Sequence, residues 1–380
     1  MIDVVAETLG IDRSRVEYLA SRKTIRFRVF RGILYAMLKR DLGEYYEGTV
    51  AIFGRGWSRV VPGYPHIKRV VLPSVALPRH FIDKIVVEEK LNGYNVRVVL
   101  VDNNIYAITR GGFICPYTTN RITRMLGEKL KNMFRELDPE EYFVAGEVIG
   151  LENPYTRYYY PEAPRFGYFV FDLFYRGAPM PPSERDEVTE SYGVPHVPVL
   201  GIIDKNDIEG FKEIVKRLNN DGREGVVLKD SEYRVPPLKY TTTYTNIEDI
   251  RIGMRFFMEE GRSFLFSRVI REIFRAYEED LGPNKIEQLA TEIGLAILEP
   301  AIDTVRSVAR GTSVYEEFEL EFSNEDELNE FIEYMSEMGI DIVVLRRTKR
   351  NGMILAKLGK LKETAIQVKK ILESGLAPID

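Results

Sequence analysis

Apolar residues recur at helical spacing over residues 1–20, and the alternating KTIRFRVF at 23–30 predicts a strand. The next stretch, RGILYAMLKRDL at 31–42, has spacing that predicts a second helix, so the chain is expected to open with a small α/β unit. Pro62, Pro65, Pro73 and Pro78 interrupt any long element, which puts a boundary near 65. Strands follow. IVVEEK (85–90) and NVRVVLV (95–101) are rich in β-branched residues, and DNN at 102–104 before IYAIT signals a hairpin. A helix is predicted over 119–137, buried strands at YFVAGEVIG (142–150) and YFVFDLFY (168–175), a helix over 207–218 and a strand at EGVVLK (224–229). This reads as an α+β domain with mixed or antiparallel sheets that ends near 245. Long amphipathic runs at 247–281 and 284–310 predict two helices separated by Gly282-Pro283. The tail from 313 reads β-α-β-β-α, the order of a small split-βαβ domain. The chain divides accordingly into 1–65, 66–245, 246–312 and 313–380.

A chain of 380 residues has room for roughly two to four folding units. With 44% apolar and 29% charged residues it is globular rather than disordered. A balance of 53 basic to 58 acidic residues excludes coating of nucleic acid by bulk charge but leaves room for a local basic groove. Cys115 is the only cysteine, so no intrachain disulfide can form and a reducing cytoplasm is expected. His66, His80 and His196 are too few for a histidine metal cage. The opening MIDVVAETLG is acidic and mixed, unlike a secretory signal, and no apolar run approaches the ~18 residues of a membrane span.

Candidate chemistry begins at Lys90, which ends an apolar strand and is followed three residues on by Gly93. A lysine becomes a nucleophile when its site holds the amine neutral, and glycine permits close approach of a backbone to a phosphate. K-x-x-G by itself is common, and KRNG at 349–352 also fits, inside a predicted hairpin turn. What distinguishes Lys90 is the ordered series after it: TRGG (109–112), AGEVIG (145–150), FVFDLF (169–174), EGVVLK (224–229) and PLKY (237–240).

This series resembles motifs I, Ia, III, IIIa, IV and V of the covalent nucleotidyltransferases, the superfamily of polynucleotide ligases and mRNA capping enzymes. Within it, KLNGYNVRV, TRGGF and the trailing LKYTT look most like the archaeal ATP-dependent RNA ligases, homodimeric enzymes that circularise single-stranded RNA. The motif match spans about residues 85–241, and the flanking arrangement resembles that family over the whole chain. The resemblance implies an α+β fold: a ligase-type nucleotidyltransferase domain flanked by an N-terminal module, a helical dimerisation module at 246–312 and a C-terminal domain.

It also implies roles. Lys90 would attack the α-phosphorus of ATP and hold AMP as a phosphoamide, with Glu88 and Asn95 beside it on the nucleotide. Arg110 can fork onto a ribose or phosphate oxygen while Gly111 and Gly112 turn the chain. Glu147 is an isolated carboxylate in an apolar strand, costly unless partnered, and the implied partner is the ribose. Phe171 would stack on the adenine, with Asp172 as support. Glu224 offers oxygen to Mg²⁺ or Mn²⁺, and Lys229 and Lys239 would offset charge on the α-phosphate and the leaving pyrophosphate. The implied partner is single-stranded RNA with a 5′-phosphate. The chain departs from the superfamily pattern at Asn92, commonly aspartate, and at Pro237, which stands where motif V often has a first lysine. The basic RRTKR (346–350) is expected at a hairpin tip or RNA contact. PYTRYYYPEAP (154–164) has a composition suited either to stacking on single-stranded bases or to local packing.

Overall fold

The computed structural model of the chain describes residues 1–259, 261–312 and 315–377; the expected domain start at 313 lies outside them. The apolar stretch at the N-terminus is two helices, α1 (Ile2–Leu9) and α2 (Arg13–Ser21). Gly10 closes the first at φ 63°, and the Asp12 carboxylate starts the second by accepting from the backbone N–H groups of Ser14 and Arg15. Strands β1 (Ile25–Phe30), β2 (Ile33–Leu38), β3 (Val50–Phe53) and β4 (Ser58–Val61) then form an antiparallel sheet in sequential order.

The stretch expected as a helix over 31–42 is therefore a strand over half of its length, Ile33–Leu38, and turn or bend on either side. Arg31 (φ 47°) and Gly32 (φ 84°) both adopt left-handed backbone, which makes the two-residue turn that folds β2 onto β1. A short continuous apolar run fits a buried strand as well as a buried helix, and here the core decides. Ala36 and Leu38 pack with Val5, Leu9 and Val16 of the two helices.

Next come β5 (Lys68–Arg69), α3 (Pro73–His80), β6 (Lys84–Lys90), β7 (Tyr94–Val101), β8 (Asn104–Thr109), α4 (Pro116–Leu137), β9 (Tyr142–Ile149), β10 (Gly167–Tyr175), β11 (Ala178–Pro179), α5 (Pro182–Ser191), β12 (Val199–Asp204), α6 (Ile208–Asn220), β13 (Gly225–Asp230) and β14 (Leu238–Thr241). The chain continues through α7 (Thr243–Met254), α8 (Arg262–Glu278), α9 (Pro283–Ala309), β15 (Tyr315–Phe322), α10 (Glu325–Glu337), β16 (Ile342–Arg350), β17 (Met353–Leu361) and α11 (Glu363–Ser374). The DNN hairpin forms as predicted, with Asp102 and Asn103 at φ 46° and 61°. The first predicted long helix is split between α7 and α8, whereas the Gly282-Pro283 break opens α9 as expected. KRNG is a hairpin turn between β16 and β17, with Asn351 at φ 51° and Gly352 at φ 77°.

The chain folds as two compact units. One comprises Met1–Ile67, Asn92–Val197 and Asn324–Tyr334; the other comprises the described residues of Lys68–Leu91, Pro198–Ser323 and Met335–Asp380. The first carries the antiparallel sheet β11-β10-β9-β7-β8, and the second a mixed sheet β12-β6-β13-β14-β5 in which only the β14/β5 pair is parallel. The fold is thus α+β with antiparallel and mixed sheets, as the motifs imply.

In the second unit, alternation sorts the central strands into two faces. Ile85, Val87, Val226, Leu228, Leu238 and Tyr240 bury one face against Leu77 and Phe81 from α3 and its C-terminal end and Phe211 and Leu218 of α6. Each large aliphatic or aromatic side chain so buried contributes about 1.5–3 kcal/mol. The opposite face carries the polar residues, in cross-strand rows Glu88–Val227–Lys239 and Lys90–Gly225–Thr241. Ile247 and Ile250 of α7 pack with Ala296 of α9, joined by Leu265 and Val269 of α8. No helix among the described residues is long and apolar enough to cross a membrane.

Candidate active site

Lys90 ends β6 on the polar face of the second unit's sheet, and its Nζ donates to Glu224 Oε1 at 2.6 Å. Both side chains are largely covered, at 22% and 12% exposed. Glu224 is set by its neighbour. Gly225 pairs opposite Lys90 at φ 150°, and a Cβ there would stand 2.1 Å from the Tyr240 carbonyl oxygen, so only glycine lets β13 begin at this point. The Thr242 N–H fixes the same turn by donating to the Glu224 carbonyl at 3.0 Å. Burial raises the Glu224 carboxyl above its ordinary pKa, and the Lys90 ammonium opposes that rise.

Glu224 Oε2 is buried and has no hydrogen-bond partner among the described residues. An orphaned carboxylate oxygen of this kind fits a hard divalent cation. Among the described residues no three His, Cys, Asp or Glu side chains group to hold a metal, so such an ion would be completed by phosphate oxygens and water, the usual mode for Mg²⁺-like ions.

Along the same face Lys229 is anchored on Glu88, Nζ to Oε2 at 2.8 Å, with both side chains 1% exposed. Lys239 lies half-buried on β14, in the row that contains Glu88. Beside it are two arginines that nothing in the sequence singles out. Arg69 of β5 donates to Thr241 Oγ1 at 2.9 Å, and Arg271 of α8 donates to Asn246 Oδ1 at 2.9 Å. Thr241 and Asn246 are themselves bonded at 3.1 Å. The signal was absent because residues 69, 241 and 271 meet only through the fold.

In the first unit, Asn95 and Glu147 face each other across β7 and β9, and Phe169 stands opposite Glu147 on β10. Asn95 Oδ1 is buried without a hydrogen-bond partner among the described residues. Glu147 is half-buried rather than enclosed, which removes most of the cost that its apolar strand suggests. Phe171 sits at the bulge where β10 slips register between Val170 and Asp172. Its carbonyl accepts from Arg185 Nη1, and its ring meets Tyr64 edge-on at 5.2 Å. Asp172, 1% exposed, accepts from the Tyr64 hydroxyl at 2.6 Å, a supporting part. Arg110 is exposed beyond β8, donating from Nη2 to His66 Nδ1 at 2.9 Å, and Gly112 at φ 86° closes its turn.

Two readings change with the structure. Gly93 serves a backbone approach, though the partner is protein: a Cβ there would stand 2.0 Å from the Val148 carbonyl oxygen. The tyrosine-rich loop is mainly packed. Tyr160 is fully buried and accepts from the Asn92 N–H at 2.7 Å, Tyr155 bonds the Tyr334 hydroxyl at 2.9 Å, and Tyr159 alone of the loop's tyrosines counts among the exposed large side chains, at 57%.

A lysine held against a buried carboxylate at a strand end is the arrangement of a ligase-type nucleotidyltransferase, and the comparisons agree. The family model "RNA ligase" matches residues 83–241, and that of the "Ligase Pab1020 C-terminal region" matches 252–375. The chain superposes on two solved structures of an archaeal ATP-dependent RNA ligase, described as form 1 and form 2, at TM-score 0.91, with 33% identity over 99% of both chains. It also matches a proposed ATP-dependent DNA ligase of Aquifex aeolicus at TM-score 0.85, 28% identical over 96% of this chain and 100% of that one. An uncharacterized protein of Methanocaldococcus jannaschii is 38% identical over 371 residues, 95% of this chain and 92% of the relative. The chain belongs to the archaeal ATP-dependent RNA ligase family.

Proposed function

We propose that this RNA ligase uses ATP to join the 5′-phosphate and 3′-hydroxyl ends of single-stranded RNA, including the two ends of one strand. The observation that carries the reading is the 2.6 Å contact of Lys90 with Glu224 in a chain of this family. In the first step Lys90 Nζ attacks the α-phosphorus of ATP. The N–P bond forms as the bond to the bridging oxygen breaks, pyrophosphate leaves with the electron pair, and the lysine ammonium gives up two protons overall. The RNA 5′-phosphate then displaces Lys90 from AMP, and the 3′-hydroxyl attacks the 5′-phosphorus of the RNA adenylate and releases AMP. Such barriers fall chiefly through positioning and charge neutralisation.

By family position Glu147 takes the ribose, Phe171 the adenine, and Arg110 a ribose or phosphate oxygen, with Asn95 on the phosphate side. Lys239 offsets phosphate charge, and by family position Lys229, enclosed in its pair with Glu88, adds its charge to the same face. Glu224 would hold the divalent cation through Oε2, and the bound ion, Mg²⁺ or Mn²⁺, would neutralise charge on phosphoryl oxygens. The domain division at 65, 245 and 312 is kept in this reading, with 246–312 joining two copies of the chain. Exposed apolar side chains support that pairing: Phe266, Ile270, Ile273, Phe274 and Tyr277 form one stripe on α8. A cytoplasmic setting suits the single, buried thiol of Cys115.

The test is incubation with α-³²P-ATP and Mg²⁺, followed by denaturation. Acid-labile, alkali-stable label on the polypeptide that disappears in Lys90→Ala is expected; label retained by Lys90→Ala overturns the assignment. The Aquifex match favours a second reading, a DNA ligase, which would seal a nicked duplex in preference to single-stranded RNA.

A further inference from the structure

Besides Lys229 and Lys239, the polar face of the second unit gathers Lys90, Arg69, Arg268 and Arg271. Lys90 is paired with Glu224, and Arg268 forks onto Asp249 Oδ2 at 2.9 and 2.8 Å. Arg69 and Arg271 are left over. Among the described residues neither makes a salt bridge, and both are hydrogen-bonded only to neutral oxygens, those of Thr241 and Asn246. The neighbouring carboxylate of Glu272 is committed elsewhere, accepting from Asn246 Nδ2 at 2.7 Å, Thr243 Oγ1 at 3.0 Å and Arg275 Nε at 2.8 Å. Both leftover guanidiniums are half-buried. Burial lowers the pKa of each, to about 10 for Arg271, and their proximity to one another and to Arg268 adds to the depression at Arg271. Glu224 and Asp249 oppose that depression from nearby, but their bonds go to Lys90 and Arg268. Two partly desolvated guanidiniums with no carboxylate bonded to them are costly, and a multiply charged anion would offset that cost.

Their place relative to Lys90 identifies the anion. Lys90, Gly225 and Thr241 form one cross-strand row, so Lys90 and Thr241 lie two inter-strand steps apart, roughly 10 Å between backbones. Gly225 has no side chain to fill the space between them. Arg69 bonds Thr241 at the far end of that row, and Arg271 bonds the adjoining Asn246. In an in-line displacement the leaving group departs on the side of phosphorus opposite the nucleophile. A cation pair across the face from the attacking lysine is therefore where the β- and γ-phosphates would extend.

We propose that Arg69 and Arg271 bind the β,γ-diphosphate of ATP during lysine adenylation and the pyrophosphate released from it. This rests on the lysyl-AMP reading of Lys90. When the bond from the α-phosphorus to the bridging oxygen breaks, the electron pair and the new negative charge move onto pyrophosphate, and the two guanidiniums receive that charge. Helix α8, which the family resemblance places in a module for subunit pairing, thereby also supplies the adenylation step.

The experiment compares wild type with Arg271→Ala, Arg69→Ala and Arg271→Lys in three assays: labelling by ATP, reversal of purified enzyme–AMP by pyrophosphate, and joining of a chemically 5′-adenylated RNA without ATP. Each alanine variant should raise the ATP and pyrophosphate concentrations needed for half-maximal rate at least tenfold, with joining of adenylated RNA within twofold of wild type. Arg271→Lys should fall between, because it keeps the charge and loses the fork. Unchanged labelling and reversal overturn the proposal, and so does a defect confined to adenylated RNA, which would make the pair an RNA-phosphate site. If wild type itself is never labelled, the lysyl-AMP reading has failed. The cation pair is then judged by equilibrium dialysis of ³²P-pyrophosphate against Lys90→Ala with and without Arg271→Ala, where equal binding overturns it.

Discussion

Lys229 Nζ lies 2.8 Å from Glu88 Oε2 with each side chain only 1% exposed, a completely enclosed ion pair across β6 and β13. Removing one member leaves a charge buried without its partner, which costs about 3–5 kcal/mol, whereas replacing both by neutral groups of similar size costs far less. Lys229→Ala is therefore expected to lower the free energy of unfolding in urea by about 3–5 kcal/mol, and Glu88→Gln combined with Lys229→Met to recover much of it. Additive losses in the double variant would show that the pair is not coupled.

Burial raises the pKa of the Glu224 carboxyl above its ordinary value, and Lys90 restrains the rise. Removing the ammonium in Lys90→Met should move the titration of Glu224 to still higher pH, read by ¹³C NMR of labelled glutamate and assigned by its loss in Glu224→Gln. A downward shift would contradict the direction of the coupling. Glu224→Gln should also slow adenylation about 100-fold, on the order of 3 kcal/mol of lost electrostatic stabilisation.

Glycine substitutions should split sharply by location. Gly93→Ala would place a Cβ 2.0 Å from the Val148 carbonyl oxygen, in rigid backbone, and is expected to cost about 3 kcal/mol of stability. Gly294, inside α9, has nothing within 4 Å of its Cβ position, so Gly294→Ala should stabilise by about 0.5–1 kcal/mol. Thermal melts of the two variants against wild type measure both.

The apolar stripe on α8 provides a test of the proposed subunit pairing. Ile273 and Tyr277 are 59% and 77% exposed, so their replacement by glutamate disturbs little within one chain. Ile273→Glu with Tyr277→Glu should turn a dimer into a monomer in sedimentation equilibrium while the unfolding of the chain stays near wild type. A variant that still sediments as a dimer would remove this face from the interface.

The sequence by itself determined the nucleotidyltransferase class, because the motifs that resemble that class are short runs whose order survives without coordinates: those of Lys90 at a strand end, then Arg110, Glu147, Phe171, Glu224 and Lys239. It also fixed most of the strands and helices, since period-two and helical apolar patterns are local, and the Asp102-Asn103 and Asn351-Gly352 turns declare themselves through residues that tolerate left-handed backbone. It misread 31–42, where Ile33–Leu38 is apolar enough for either element and only packing of Ala36 and Leu38 on Val5, Leu9 and Val16 selects the strand. It left the tyrosine loop undecided, because composition does not say that Tyr160 turns inward to meet the Asn92 N–H. What only the tertiary structure decided are the pairings between distant residues. The enclosure of Lys229 by Glu88 and the meeting of Arg69 with Thr241, Asn246 and Arg271 depend on strand register and on where α8 lies against β14. Register and helix placement are set by burial of whole faces, a property of the assembled core that no short stretch of chain contains.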